Sequence, residues 1–245
     1  MSNFEFDTVE DEFDFSDGGG QWAGRNATIF LIDASPKMFE NTGDEEDSYF
    51  VKSLRCAHST VSRKIIGNDQ DFYSIIIFNT TQMKNSLDFA HVYVFQDIDR
   101  PGAERMLELE SLIEDSSVKN ASKSFRFGST DTANIHDVLW ICRSIFLKCK
   151  KNLLTKTVLV FTGEDNPHAG DDHKQRQALK GAKDMHEGGV EIEILPLGDQ
   201  FDPHKFYEEL LSQANEEGGS LSVLANPTDR FEELLERVHR LEHKQ

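Results

Sequence analysis

A chain of 245 residues with 44 acidic and 26 basic side chains carries a formal net charge of −18, a field that repels polyphosphate and disfavours nucleic acid as a direct ligand of this chain by itself. The length suits one sizeable α/β domain and would leave two cramped, and no apolar run approaches the ~20 residues of a membrane-spanning helix. Three cysteines, Cys56, Cys142 and Cys149, are an odd number without metal-ligand spacing, so buried free thiols in a soluble, intracellular protein are the expectation.

Residues 1–20 hold seven carboxylates, no Lys or Arg, and four interleaved phenylalanines, Phe4, Phe6, Phe13 and Phe15, ahead of the Gly18-Gly19-Gly20 hinge. The composition predicts an acidic disordered tail over residues 1–24, without the basic and then apolar order of a signal peptide. Its phenylalanines read either as a partner-docking motif or as part of a solubilising arm.

From 25 to 245, strands and helices alternate, which predicts an α/β domain with a doubly wound, mostly parallel sheet covered on both faces. Thr28–Asp33 is a continuous apolar run, as in a central strand. A helix is expected over Ser48–Ile66, with Val51, Leu54, Val61 and Ile65 inward and Gly67 as its stop. Phe72–Phe78 is the second strand, and His91–Phe95 follows closely enough to be an antiparallel edge. Arg100-Pro101-Gly102 opens a helix to about Glu114 with Pro101 in its first turn. The strongest helical period runs from Thr132 to Cys149, through Ile135, Val138, Leu139, Cys142, Ile145 and Phe146. Thr157–Phe161 is a fourth strand, a helix over His173–Glu187 leads into a fifth at Val190–Leu197, and Pro203 opens another helix. Ser220–Leu224 reads as a last edge strand, and Phe231, Leu234, Leu235, Val238 and Leu241 stripe a closing helix.

Two apolar strands end in oxygen-rich loops, Asp33-Ala34-Ser35 and Phe161-Thr162-Gly163-Glu164-Asp165-Asn166-Pro167-His168. In an open parallel sheet such ends meet at the crest, where ligands bind. Asp33, Ser35 and Thr130, the last following Gly128, are hard-oxygen groups of the kind that hold Mg²⁺. The competing reading is structural, with Asp33 and Ser35 satisfying crest amides and Thr130 or Thr132 capping a helix. Asp165, His168, Asp171, Asp172 and His173 are metal-ligand types, but their spacing matches no zinc signature and suits a polar loop equally. Lys148, Lys150 and Lys151 sit where cations stabilise a helix C-terminus. No Gly-rich phosphate loop, nucleophile elbow or HExxH helix is present in the sequence, so no enzyme activity and no cofactor are expected.

The Asp-x-Ser strand end, the Gly-Ser-Thr turn before a long helix and the second crest strand resemble a von Willebrand factor A-type domain. Four blocks resemble, more narrowly, the N-terminal domain of the seventy-kilodalton Ku subunit: 28–39, 100–109, 138–142 and 161–168, in the family's order, with Glu-Asp-Asn-Pro after the strand. The resemblance covers about Gly24–Gln245. It implies a six-stranded Rossmann-like domain at the periphery of the Ku heterodimer, a nuclear complex that threads onto double-strand DNA ends and recruits end-joining factors. In the family, a β-barrel and a C-terminal arm after this domain encircle the DNA.

Against the family pattern, Lys37 and Gly163 stand where metal-binding A-domains carry a second serine and an aspartate, so the metal cluster reads as vestigial, with Lys37 a candidate partner for Asp33. On the helix over His173–Glu187, Ala178, Leu179, Ala182 and Met185 face inward, leaving Lys180, Lys183, Asp184 and Glu187 outward. Asp184 and Glu187 match an acidic pair on a recruitment surface of Ku. The other reading is a merely solvated face. A lyase attributed to this subunit uses a lysine shortly before the Gly-Arg preceding the first strand. Here that position is Gln21, whose amide forms no imine, and the first lysine is Lys37. The alternative to an interaction module of a Ku subunit is a stand-alone, metal-dependent adaptor or adhesion domain.

The charge balance predicts that the chain has no sub-micromolar affinity for blunt duplex DNA in a gel shift at ~0.15 M salt, because nonspecific binding rests on Lys and Arg displacing counterions. A tight, salt-sensitive shift by the isolated chain would contradict this.

Overall fold

The computed structural model describes residues 25–40, 47–67, 71–117, 125–214 and 231–242. Among them, five strands form one sheet: β1 (Arg25–Asp33), β2 (Phe72–Phe78), β3 (Val92–Asp99), β4 (Leu153–Thr162) and β5 (Glu191–Pro196). Their order is β3-β2-β1-β4-β5. β1 runs parallel to β2 and β4, β4 runs parallel to β5, and only β2–β3 is antiparallel. The expected edge hairpin is therefore present. The expected strand at Ser220–Leu224, and with it the sixth strand, lies outside the described residues.

Among the described residues, six helices pack on the sheet: α1 (Tyr49–Ile66), α2 (Ala103–Ser116), α3 (Ile135–Lys148), α4 (Asp172–Glu187), α5 (Tyr207–Ala214) and α6 (Phe231–Glu242). The alternation of β1 sorts them into two layers, since successive side chains point to opposite faces. Ala27, Ile29 and Leu31 pack with residues of α3, α4 and α5, whereas Phe30 and Ile32 pack with α1, α2 and α6. Both faces being covered, the last seven residues of β1 and all of β2 are buried, which explains runs such as Ile75-Ile76-Ile77 without polar alternation. No helix among the described residues is long and apolar enough to cross a membrane.

Side-chain caps set several boundaries that periodicity leaves open. Ser48 Oγ accepts from the Val51 N–H at the start of α1, and Gly67 caps its end. α3 begins at Ile135 rather than Thr132, because Asn134 is extended and accepts the His136 N–H at 3.1 Å. Cys149 is the C-cap of α3, partly exposed rather than part of the buried stripe, while Cys56 and Cys142 are buried cysteines that form no disulfide. Burial pushes the Cys142 thiol up to about 12, leaving it inert at neutral pH. Pro101 precedes α2, whose N-cap is Gly102, and Pro203 opens a short 3-10 turn ahead of α5.

The layer on the α1 side is pinned by aromatics from adjacent strands. The Phe30 ring lies 6.0 Å from Tyr73 and 6.4 Å from Phe161, and Phe161 has no exposure. Phe161→Ala is expected to lower the unfolding free energy by about 3–5 kcal/mol in urea titration, the usual cost of emptying a buried aromatic site. A loss below about 1 kcal/mol would mean that the layer collapses into the gap.

Candidate functional site

The crest is organised around Asp33, the last residue of β1, which is wholly buried. Four donors converge on its carboxylate. Oδ1 accepts from the Ser35 N–H and from Asn79 Nδ2, each at 2.8 Å. Oδ2 accepts from Ser35 Oγ at 3.1 Å and from Thr162 Oγ1 at 2.8 Å. Burial pushes the Asp33 pKa upward, and these four hydrogen bonds oppose that shift. One carboxylate thus ties together the ends of β1, β2 and β4.

Asn79, which the sequence reading did not single out, extends the network. It adopts a positive φ of 60° just after β2, a conformation Asn tolerates better than most residues. Its Oδ1 accepts the Ala133 N–H at 2.9 Å and its carbonyl accepts the Thr130 N–H at 2.9 Å, so it also fixes the segment leading into α3. The Gly128-Ser129-Thr130 turn is placed by Ser129 Oγ donating to the Ala34 carbonyl. Gly128 suits the position, with φ at +70° and the Thr81 side chain filling the place where a Cβ would stand. Thr130 itself does not reach Asp33. Its hydroxyl pairs with that of Thr132 at 2.8 Å, so neither threonine caps the helix.

The acidic loop after β4 is likewise internally paired. Thr162 Oγ1 accepts the Glu164 N–H at 3.1 Å, and the buried Tyr207 lines the same crest. Asp165 Oδ2 accepts from Lys205 Nζ at 2.7 Å and the Asp202 N–H at 3.0 Å, joining the loop to the 3-10 turn before α5. Burial opposes ionisation of Asp165, but the Lys205 and Asp202 hydrogen bonds, with the charges of Lys205 and Lys37, outweigh it and hold its pKa below 3.8. Asp171 accepts the Lys174 N–H and caps α4. His168 Nε2 accepts the Ile135 N–H at 3.1 Å, so this imidazole caps α3. Among the described residues, no three His, Cys, Asp or Glu side chains come together as a metal cluster.

A cavity of about 360 Å³ opens over this network, lined in part by Lys37, Asn79, Asp131, Glu164, His168 and Tyr207. Lys37 is on its wall but does not take up the Asp33 carboxylate, whose acceptor positions belong to Ser35, Asn79 and Thr162. Gly163 carries no ligand, although a Cβ there would meet nothing closer than Met38 Sδ at 3.4 Å. On α4, Ala178, Ala182 and Met185 are buried and Leu179 partly so, while Lys180, Lys183 and Glu187 are exposed and Asp184 is half-buried. The candidate partner face is thus open to solvent.

A parallel sheet with one antiparallel edge, two helical layers and an Asp-x-Ser crest defines a von Willebrand factor A-type domain. The crystal structure of the SpRpn10 VWA domain shares this fold, with a TM-score of 0.57 and 18% identity over 88% of this chain and 95% of that one. The chain belongs to the Ku70/Ku80 N-terminal alpha/beta domain family, whose model matches residues 27–245. It is 34% identical over 234 residues to mouse "X-ray repair cross-complementing protein 6", covering 93% of this chain and 38% of that protein. With "ATP-dependent DNA helicase 2 subunit 1" of Rhipicephalus appendiculatus it shares 36% over 221 residues, 88% of this chain and 35% of that protein. The chain therefore spans little more than a third of the length of these curated relatives.

The His168 cap carries a pH dependence. Burial, aided by the Lys174 ammonium, holds its pKa below 6.5 against the pull of Asp171 and Asp137. Because the folded pKa is the lower one, the stabilising contribution is complete above the unfolded value of about 6.5 and is lost as pH falls below it. Urea unfolding at about pH 7.5 and about pH 5.5 should show a larger acid loss for the unaltered chain than for His168→Gln. Equal losses would remove His168 from the account.

Proposed function

We propose that this domain is a non-catalytic protein-interaction module of a nuclear Ku subunit, acting in double-strand break recognition and non-homologous end joining. Its partners are the other Ku subunit and end-joining repair factors, with DNA held only through ring elements outside this domain. The observation that carries the reading is the crest: both oxygens of the Asp33 carboxylate are engaged in tying strand ends, so the residues that in other A-domains take a ligand here serve the scaffold. Family membership and the name of the mouse relative support the repair role.

Several relatives carry "ATP-dependent DNA helicase" in their names, yet this chain offers neither a Gly-rich phosphate loop nor, at position 21, a Schiff-base lysine. The alternative, a metal-dependent adaptor, would place Mg²⁺ on Asp33, Ser35 and Thr130. Thr130 turned to Thr132, Gly163 without a carboxylate and the Lys37 ammonium on the cavity wall all weigh against it, because an octahedral site needs several oxygen donors free at once. We read the metal site as vestigial.

The partner face of the proposal is the outer side of α4 at Asp184 and Glu187. Joint Asp184→Lys and Glu187→Lys substitution should change stability by no more than about 0.5 kcal/mol, as for ordinary surface sites, while weakening capture of end-joining factors in pull-downs with the full-length subunit. Undiminished capture would leave α4 a solvated face and remove it from the proposal.

A further inference from the structure

Beside α4 lies a surface that neither the crest nor the acidic pair uses. Along α3, Trp140 is 40% exposed and Leu147 is 73% exposed. Between them, Arg143 lays its guanidinium 5.7 Å from the Trp140 ring centre. Its Nε is buried without a hydrogen-bond partner, and no carboxylate faces it among the ion pairs of the described residues. Spacings of three and four place all three side chains on one stripe, spanning about 10 Å of helix. The stripe borders α4, since His136 Nδ1 meets the Gln177 carbonyl at 3.0 Å and Arg143 Nε lies 3.7 Å from the Cβ position of Gly188. The neighbouring exposed positions of α4 include Arg176, Lys180 and Lys183. In a chain of net charge −18, the α3 stripe itself is aromatic, aliphatic and cationic, and α4 beside it presents those cations interleaved with Asp184 and Glu187. A half-desolvated guanidinium stacked on an indole is suited to a carboxylate partner next to apolar side chains.

We propose that this stripe is the docking site of the chain's own acidic, phenylalanine-bearing segment, residues 1–20. The chemistry is complementary: seven carboxylates for Arg143 and the α4 cations, and Phe4, Phe6, Phe13 and Phe15 for Trp140 and Leu147. The attachment point is at the same end of the fold. The Arg25 N–H donates to the Asn152 carbonyl, and Arg25 pairs with Leu153 at the start of β4, directly after the end of α3. There Leu154 is another apolar side chain left 68% exposed. Phe13 and Phe15 lie 12 and 10 positions before Arg25, an extended reach of roughly 35–40 Å that exceeds the length of the stripe. Tethering makes docking an intramolecular event, with an effective concentration on the order of millimolar, so a short segment with modest contacts suffices. The inference shares Lys180 and Lys183 with the partner face of α4 but rests on Trp140, Arg143 and Leu147 of α3.

The test uses Trp140 as its own reporter. The chain has two tryptophans, so Trp22→Phe in the full chain leaves Trp140 alone. Acrylamide quenching of its fluorescence should rise by about twofold or more when Phe4, Phe6, Phe13 and Phe15 are all replaced by Ser, and again when Arg143→Glu is made with the tail intact. The serine variant leaves the residues of the folded domain untouched, so it decides the matter should Arg143→Glu fail to fold. Quenching unchanged by the serine substitutions overturns the proposal. Shielding that grows with protein concentration also overturns it, by assigning the stripe to a second copy of the chain.

Discussion

Asp33 is a carboxylate without solvent exposure, and a buried charge is tolerated only when its lone pairs find donors. It finds four, from Ser35 on its own loop, from Asn79 after β2 and from Thr162 at the end of β4. Those three strands are the centre of the sheet, so one side chain fixes where the crest loops begin. Asn79 passes the constraint to the segment before α3, and Thr162 passes it to the loop after β4 through the Glu164 N–H. Asp33, Ser35, Asn79, Ala133 and Thr162, all on the wall of the crest cavity, are joined by this chain of contacts.

The same economy of position explains the acidic loop. Asp165, His168 and Asp171 belong to a run of metal-ligand types when read as a string, but the fold distributes them among structural tasks. Asp165 joins the loop to Lys205, Asp171 caps α4 and His168 caps α3. In the proposed reading, the surface left for recognition is on the outer faces of α3 and α4 rather than at the sheet crest. This is a reversal of the usual arrangement in open α/β sheets, where the crest carries the ligand.

Much of the fold was legible because burial on both faces forces long apolar runs. β2 was bounded at Phe72 and Phe78 from its hydrophobicity alone, and α1 was framed by Ser48 and Gly67. Boundaries failed where a side chain, not a periodicity, decides them: Asn134 stops α3 from reaching back to Thr132, and β1 and β4 extend outward into partly exposed residues. At the site, Asp33, Ser35 and Thr162 were visible as strand-end oxygens, but Asn79 and Tyr207 were not, since a single polar residue after an apolar run carries no signal of what it touches. Thr130 was placed near the cluster by type and proved to bond its neighbour instead. Pairings such as Asp165 with Lys205, 40 residues apart, leave no local pattern to read.

The central claim is that the Asp33 hub is a structural substitute for a metal-centred crest. Isothermal calorimetry of Mg²⁺ into the chain, paired with thermal unfolding at rising Mg²⁺, tests it most directly. The account predicts no saturable heat and no shift in Tm beyond that given by an equal ionic strength of Na⁺. Saturable binding at millimolar concentration or tighter, abolished by Asp33→Ala in a chain that still folds, would contradict it and return the crest to the metal-dependent class.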